Sequence, residues 1–458
     1  MRMTNQKSPY FLEILMLEFE HYLKNNSRYQ SYLYSYPHKT AYRHFDEPVD
    51  LSELWKDEKK NSLYLYSHIP FCRMKCSFCN LFTVSNPDNN DVDLYLNQLQ
   101  TEASVMRATL GEFSFAGYAV GGGTPSLLEP AQLARLFSIY SDTLKVDLAN
   151  TPGSFEISPE TITDEKLQLL SDYGVERISI GIQSFIENEA KSVGRYQNDA
   201  LIHPILEKIA NYHFPVFNID LIYGIPGQTV ETWLISLKTA MNYRPTEIFL
   251  YPLYIRPLTS LHKKNGIQVA ETDFRDELYQ IGCEFLISQG YIQDSMRLFR
   301  HNSVTNTLGS DYSCQEDGMI GLGTNARSYT RDLHYSTEYA VSRPNVNAIV
   351  QNYLHKPASA FQQANYGIKL SEDDRKRRYL IKSLLKTEGL HLQDYTSLFQ
   401  ENILEAFPEL NLLADMKLAT QDNKKIQLTA EGLAYSDLLG HWFIADPVKT
   451  KMQEYIHK

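Results

Sequence analysis

Between about Tyr64 and Pro257 the chain alternates two patterns, and this alternation restricts its fold more than any other feature. Six short runs rich in β-branched and aromatic residues occur in series: SLYLYSHI, FAGYAVGG, SFEIS, RISIGIQS, FNIDLIYG and EIFLYPLY. Amphipathic stretches such as DLYLNQLQTEASVMRATL and DEKLQLLSDYG separate them. Helix-length crossovers between extended runs are what parallel strands require. Six such units in series predict an α/β fold, a partial (β/α)6 TIM-like barrel, with an open doubly wound sheet as the alternative.

The 458 residues are too many for one ordinary domain. The pattern divides them into an N-terminal extension (1–60), the barrel (61–260) and a smaller C-terminal α+β domain (261–458). The last part reads as a helix through DDRKRRYLIKSLLKTEGL, then a second helical segment, Lys417–Leu439, with a hairpin at Asp422–Asn423. That order predicts a winged-helix-like module. With 44 basic and 55 acidic residues the net charge is −11, so no nucleic-acid partner and no membrane are expected. The most apolar run, Ile248–Ile255, is far shorter than a span and contains Pro252. Near the N-terminus, Glu13 and Glu18 interrupt FLEILMLEF, unlike a secretory leader. Five cysteines, three of them crowded together, predict a reducing, cytoplasmic compartment.

Those three are Cys72, Cys76 and Cys79, spaced C-x3-C-x2-C just beyond the first predicted strand. Such crowding points to one metal centre. Four ligands are the rule both for structural zinc and for iron–sulfur clusters. Cys283 and Cys314 lie far along the chain, and His68 is the nearby candidate for a fourth ligand. Alternatively, a cubane held by three thiolates leaves one iron open for an aminocarboxylate ligand.

Four ordered motifs decide how this is read. YSHIPFCRMKCSFCN, GGGTP (Gly121–Pro125), GIQSF (Gly181–Phe185) and NIDLIYGIPGQT (Asn218–Thr229) resemble the radical S-adenosylmethionine (SAM) superfamily. The branch they resemble contains oxygen-independent coproporphyrinogen III oxidase and its haem-chaperone relative. The resemblance implies a [4Fe–4S] cluster on Cys72, Cys76 and Cys79, with SAM on the open iron. It implies one-electron reduction, cleavage of SAM to a 5′-deoxyadenosyl radical and hydrogen abstraction from a small-molecule substrate. An electron donor such as flavodoxin or ferredoxin is implied as a partner. By position it assigns SAM contacts to Tyr66, Phe78, Gly122, Gly123, Thr124, Glu156, Gln183, Arg195 and Asp220. Physically, glycines let backbone approach a ligand closely, and polar groups at strand ends need a partner when buried.

The resemblance also has gaps. The porphyrinogen enzyme carries a further cysteine after the third ligand, where this chain reads NLFTVSN. The haem-chaperone branch carries a His-Asn…Tyr-Trp stretch where this chain has YSCQEDGMIGLGTNARS. Arg297, Arg300, Gln315 and Glu316 are candidate substrate residues, the arginines by pairing with carboxylates. The expected reaction is oxidative decarboxylation of a porphyrinogen-type substrate. The alternatives are radical C-methylation with a second SAM and a non-catalytic haem-binding chaperone.

Overall fold

A computed structural model describes residues 9–29, 32–33, 35–265, 273–304 and 318–456. In chain order, its main sheet has β1 Arg43–Asp50, β2 Leu63–Ile69, β3 Phe115–Gly122, β4 Gly153–Ile157, β5 Arg177–Gln183, β6 Val216–Tyr223 and β7 Glu247–Pro252. It continues with β8 Tyr291–Gln293, β9 Leu298–His301, β10 Met319–Leu322, β11 Arg327–Tyr329, β12 Leu333–Ser336 and β13 Gln363–Lys369. Across the sheet the order is β1-β13-β12-β11-β10-β2-β3-β4-β5-β6-β7-β9-β8.

All six predicted barrel runs are strands. Strands β2 to β7 pair in parallel in sequence order. The helices Asn89–Leu110, Pro130–Ser138, Asp164–Asp172, Asp199–Tyr212 and Val230–Met241 make the crossovers. The strands do not close on themselves. β10 adds in parallel beside β2, and β9 pairs antiparallel to β7, so the partial barrel is the fold. Central strands stay near-continuously apolar because both faces are covered. Leu65, Val120, Phe155, Ile178, Ile180, Ile219 and Leu250 are almost entirely buried.

The chain groups differently from the expected linear division. One compact unit comprises residues 39–292, 298–371 and 450–458; the other comprises 1–38, 293–297 and 372–449. The extension therefore splits: β1 lies at the edge of the main sheet, paired with β13. The helix Pro9–Asn25 belongs instead to the smaller unit. There, Leu390–His391, Ala419–Gln421 and Lys425–Leu428 form a three-stranded sheet packed with helices. The segment expected to be helical from Lys417 is a hairpin up to Leu428. Asp422 caps its turn by accepting N–H groups of Lys424 at 2.7 Å and Lys425 at 2.8 Å. Helices begin only at Ala430.

Among the described residues, no helix is long and apolar enough to cross a membrane.

Candidate cluster and cofactor site

The cysteine loop starts where β2 ends. Phe71–Cys72 pairs in parallel with Val84–Ser85, so the loop leaves and re-enters at one place. Val84 N–H donates to the Pro70 carbonyl at 2.7 Å and Asn86 N–H to that of Cys72 at 2.8 Å. Inside the closure sits His68. Its Nε2 is 2.9 Å from the Phe82 carbonyl, which only accepts, so Nε2 carries the proton. Nδ1 then accepts from the Tyr66 hydroxyl at 3.3 Å. Burial pushes His68 down to about 4 and keeps it neutral. With both nitrogens engaged, His68 braces the loop and does not serve as a fourth ligand.

Two further contacts fix the loop from outside. Ser77 N–H donates to the Val193 carbonyl, and Leu261 N–H donates to that of Ser77, each at 2.9 Å. Phe78 packs against Val193, Ile222, Ile225, Leu253 and Leu261. The three thiols are free, with Cys72 buried and Cys76 and Cys79 half-buried. Burial pushes the Cys72 thiol up to about 12, against a downward pull from the Thr124 hydroxyl 3.5 Å from its sulfur. Among the described residues, no three His, Cys, Asp or Glu side chains gather as a single metal ion demands.

The glycine turn after β3 presses against the loop. Gly123 N–H donates to Ile69 O and Thr124 N–H to Phe71 O, both at 2.7 Å. A Cβ on Gly123 would lie 2.6 Å from the Phe71 carbonyl oxygen. At Gly122, with φ +116°, it would lie 2.6 Å from the His68 ring. Neither position admits a side chain.

Glu156, Gln183 and Asp220 lie on β4, β5 and β6. Glu156 accepts the Gly122 N–H at 3.2 Å. It has accessible surface, yet desolvation raises it to about 7, with the charge of Asp220 adding to the rise. A carboxylate lining an enclosed open space behaves this way. Asp220 is likewise raised by desolvation, to about 6, although it accepts from Asn218 Nδ2 at 2.7 Å. Gln183 ends β5 at φ +70°, where the pairing with β6 slips. Its amide Nε2 lies 2.6 Å from where a Cβ on Gly181 would be, and an Arg195 nitrogen lies 2.8 Å from the same point. The Arg195 guanidinium donates to the Gly181 carbonyl and, at 3.3 Å, to Ser158 Oγ. It lies 3.9 Å from Glu160, and its buried Nε has no protein partner. The turn, the strand-end residues and Arg195 thus meet at the carboxyl ends of the barrel strands, beside the cysteine loop.

Reasoning from sequence missed four supporting groups. Asn218, fully buried, donates to Asp220 and to Ser179 Oγ, each at 2.7 Å. Arg177 and Glu247 form an ion pair at 2.8 Å whose charges bear on Asp220. Ser158 holds Arg195. A charged first residue in the otherwise apolar strands β5 and β7 was the signal for the ion pair.

Two of the four substrate candidates lie among the described residues, and each has partners within its own unit. Arg297 is buried, pairs with Asp437 and lies 4.1 Å over the Tyr32 ring, all within the smaller unit. It is a structural arginine there. Arg300 is in β9 of the larger unit and donates to the Val304 carbonyl at 3.2 Å. Gln315 and Glu316 lie outside the described residues.

The chain is similar to known proteins over most of its length. Residues 66–240 match the radical SAM superfamily and residues 370–435 the HemN C-terminal domain. The oxygen-independent coproporphyrinogen III oxidase of Escherichia coli (strain K12) is 29% identical over 88% of this chain and 91% of its own. The heme chaperone HemW of Bacillus subtilis (strain 168) is 25% identical over 80% and 95%. The structure of coproporphyrinogen III oxidase (HemN) from Escherichia coli superimposes with a TM-score of 0.78 at 24% identity, covering 93% of this chain and 98% of that one. The chain is thus similar to the radical SAM superfamily over residues 66–240 and, over most of its length, to the HemN coproporphyrinogen oxidases and HemW chaperones; a [4Fe–4S] cluster and S-adenosylmethionine are the cofactors of that superfamily.

Proposed function

We propose that the chain is an enzyme that cleaves SAM reductively and abstracts hydrogen from a porphyrinogen-type substrate, as the first step of oxidative decarboxylation. Cys72, Cys76 and Cys79 would hold the cluster, which when bound would supply the electron for reductive cleavage of SAM. The chain's own part is placement and exclusion of water. Gly122, Gly123 and Thr124 bring backbone close to the ligand. Glu156 and Asp220 accept its ammonium and hydroxyl hydrogens, Gln183 adds an amide, and Arg195 turns its unfilled N–H toward a carboxylate. Tyr66 acts through His68 on the loop, and Phe78 extends the apolar surface beside it. The observation that carries this reading is Arg195: a buried donor without a protein partner, in a ring of strand-end polar groups beside three free thiols.

Coproporphyrinogen III is the proposed substrate because the oxidase relatives match both the barrel and the C-terminal region. The test is anaerobic reconstitution with iron and sulfide, then dithionite and SAM, beside a Cys72→Ala/Cys76→Ala/Cys79→Ala variant. The expected result is 5′-deoxyadenosine from wild type alone, with carbon dioxide once coproporphyrinogen III is added. S-adenosylhomocysteine in place of carbon dioxide would replace decarboxylation by methyl transfer. Stoichiometric haem binding without 5′-deoxyadenosine would replace the enzyme by a haem carrier.

A further inference from the structure

The chain is strongly acidic, yet the cysteine loop and a second run packed on it carry no acid of their own. No Asp or Glu occurs between Glu58 and Asp88 or between Glu338 and Glu372, the two longest acid-free runs in the sequence. The fold packs these runs together. Lys75 Nζ donates to the Leu81 carbonyl at 3.4 Å and to that of Val341 at 3.3 Å. The Tyr339 hydroxyl donates to the Asn80 carbonyl at 3.2 Å, and Phe82 packs with Ala340, Val346 and Val350. The third-longest run, between Glu20 and Asp46, places Lys39 over the Tyr339 ring at 3.9 Å. The nearest acid along the chain, Glu338, lies 3.1 Å from His44.

What reaches solvent here is cationic and apolar. Arg73 and Arg343 are exposed, and Met74 and Leu81 are 48% and 44% exposed. Arg73, Met74 and Lys75 are the three residues between Cys72 and Cys76, so this surface is covalently joined to the thiols.

We infer that Arg73, Met74, Lys75, Leu81 and Arg343 form the docking surface for an acidic one-electron carrier protein of the flavodoxin or ferredoxin class. This rests on the radical reading above. Cations around an apolar centre steer an acidic partner and let it seat, whereas the rest of this acidic chain repels it. The reduced carrier gives up one electron and the cluster takes it, passing from the 2+ to the 1+ state, with no bond or proton exchanged. A small anionic substrate is the lesser fit, because Arg73, Met74, Leu81 and Arg343 are exposed.

The test measures binding and reduction separately, using FMN flavodoxin as the probe. Calorimetric titration into wild type should give an affinity that falls as salt rises. Arg73→Glu/Arg343→Glu should weaken it by about tenfold or more, and the neutral Arg73→Gln/Arg343→Gln by less. Iron content and the cluster's electron paramagnetic resonance amplitude after dithionite should match wild type in both variants. Flavodoxin binding that ignores both substitutions and salt overturns the docking surface. So does loss of substrate affinity with flavodoxin affinity intact. If wild-type cluster and dithionite yield no 5′-deoxyadenosine, the radical reading fails, and the titration still reports on the surface independently.

Discussion

Glu156 and Asp220 sit in the barrel with their carboxyl groups raised to about 7 and about 6. A raised carboxyl stabilises the folded chain less as it ionises. The folded state binds more protons than the unfolded one between the ordinary and the raised value, so stability falls as pH climbs through that window. The cofactor-free protein should therefore lose thermal stability from about pH 4.5 to pH 7, and Glu156→Gln should flatten that slope in a melting series. A slope unchanged by Glu156→Gln would remove the residue from this role. Arg195 gives a second prediction at the same scale. A charge-assisted hydrogen bond is worth about 1.5–3 kcal/mol, so Arg195→Met should raise the dissociation constant for SAM about tenfold or more. Arg195→Lys should recover part of the loss. Equal SAM affinity in Arg195→Met and wild type would show that the arginine serves only Gly181 and Ser158.

The elements explain why these residues meet. A parallel strand followed by a helix delivers its carboxyl end to one rim, so motifs far apart in sequence end side by side. The glycine turn and the cysteine strand are stitched by two backbone hydrogen bonds, and a Cβ on Gly123 would collide with the Phe71 backbone. Gly123→Ala should cost about 1–3 kcal/mol, as over-packing does, and push the loop outward. Thermal melting and the iron-to-protein ratio after reconstitution check it. A fall in both is expected, and full iron loading would show that the loop tolerates the shift. All six strands and the cysteine loop were legible because their cues are local: β-branched runs, crossover length, close thiol spacing. The hairpin after Lys417 was less so, since its residues carry helix-period spacing and only its turn chemistry at Asp422 marks the reversal.

Across the whole molecule the chain does not respect its linear order. Residues 293–297 belong with 1–38 and 372–449, away from their sequence neighbours in the larger unit. Arg297 is part of that arrangement, paired with buried Asp437. Removing one partner of a buried pair leaves an uncompensated charge, so Arg297→Met should destabilise the smaller unit by about 3–5 kcal/mol in denaturant titration. Below its melting temperature the variant should keep its KM for coproporphyrinogen III. A KM rise with stability unchanged would restore the substrate role first expected of this arginine.

What the sequence determined by itself was everything written in short-range pattern: the parallel α/β series and the close spacing of three thiols in the loop after its first strand. Only the tertiary structure decided which polar residues are partners and which are free to meet a ligand. His68 and Arg297 had the composition of a metal ligand and a substrate clamp, but a carbonyl 2.9 Å from one and a buried carboxylate beside the other engage them inside the fold. Arg195, by contrast, keeps a donor without a protein partner. The reason is that a side chain's availability depends on what long-range packing places within hydrogen-bond reach, and local sequence does not encode that distance.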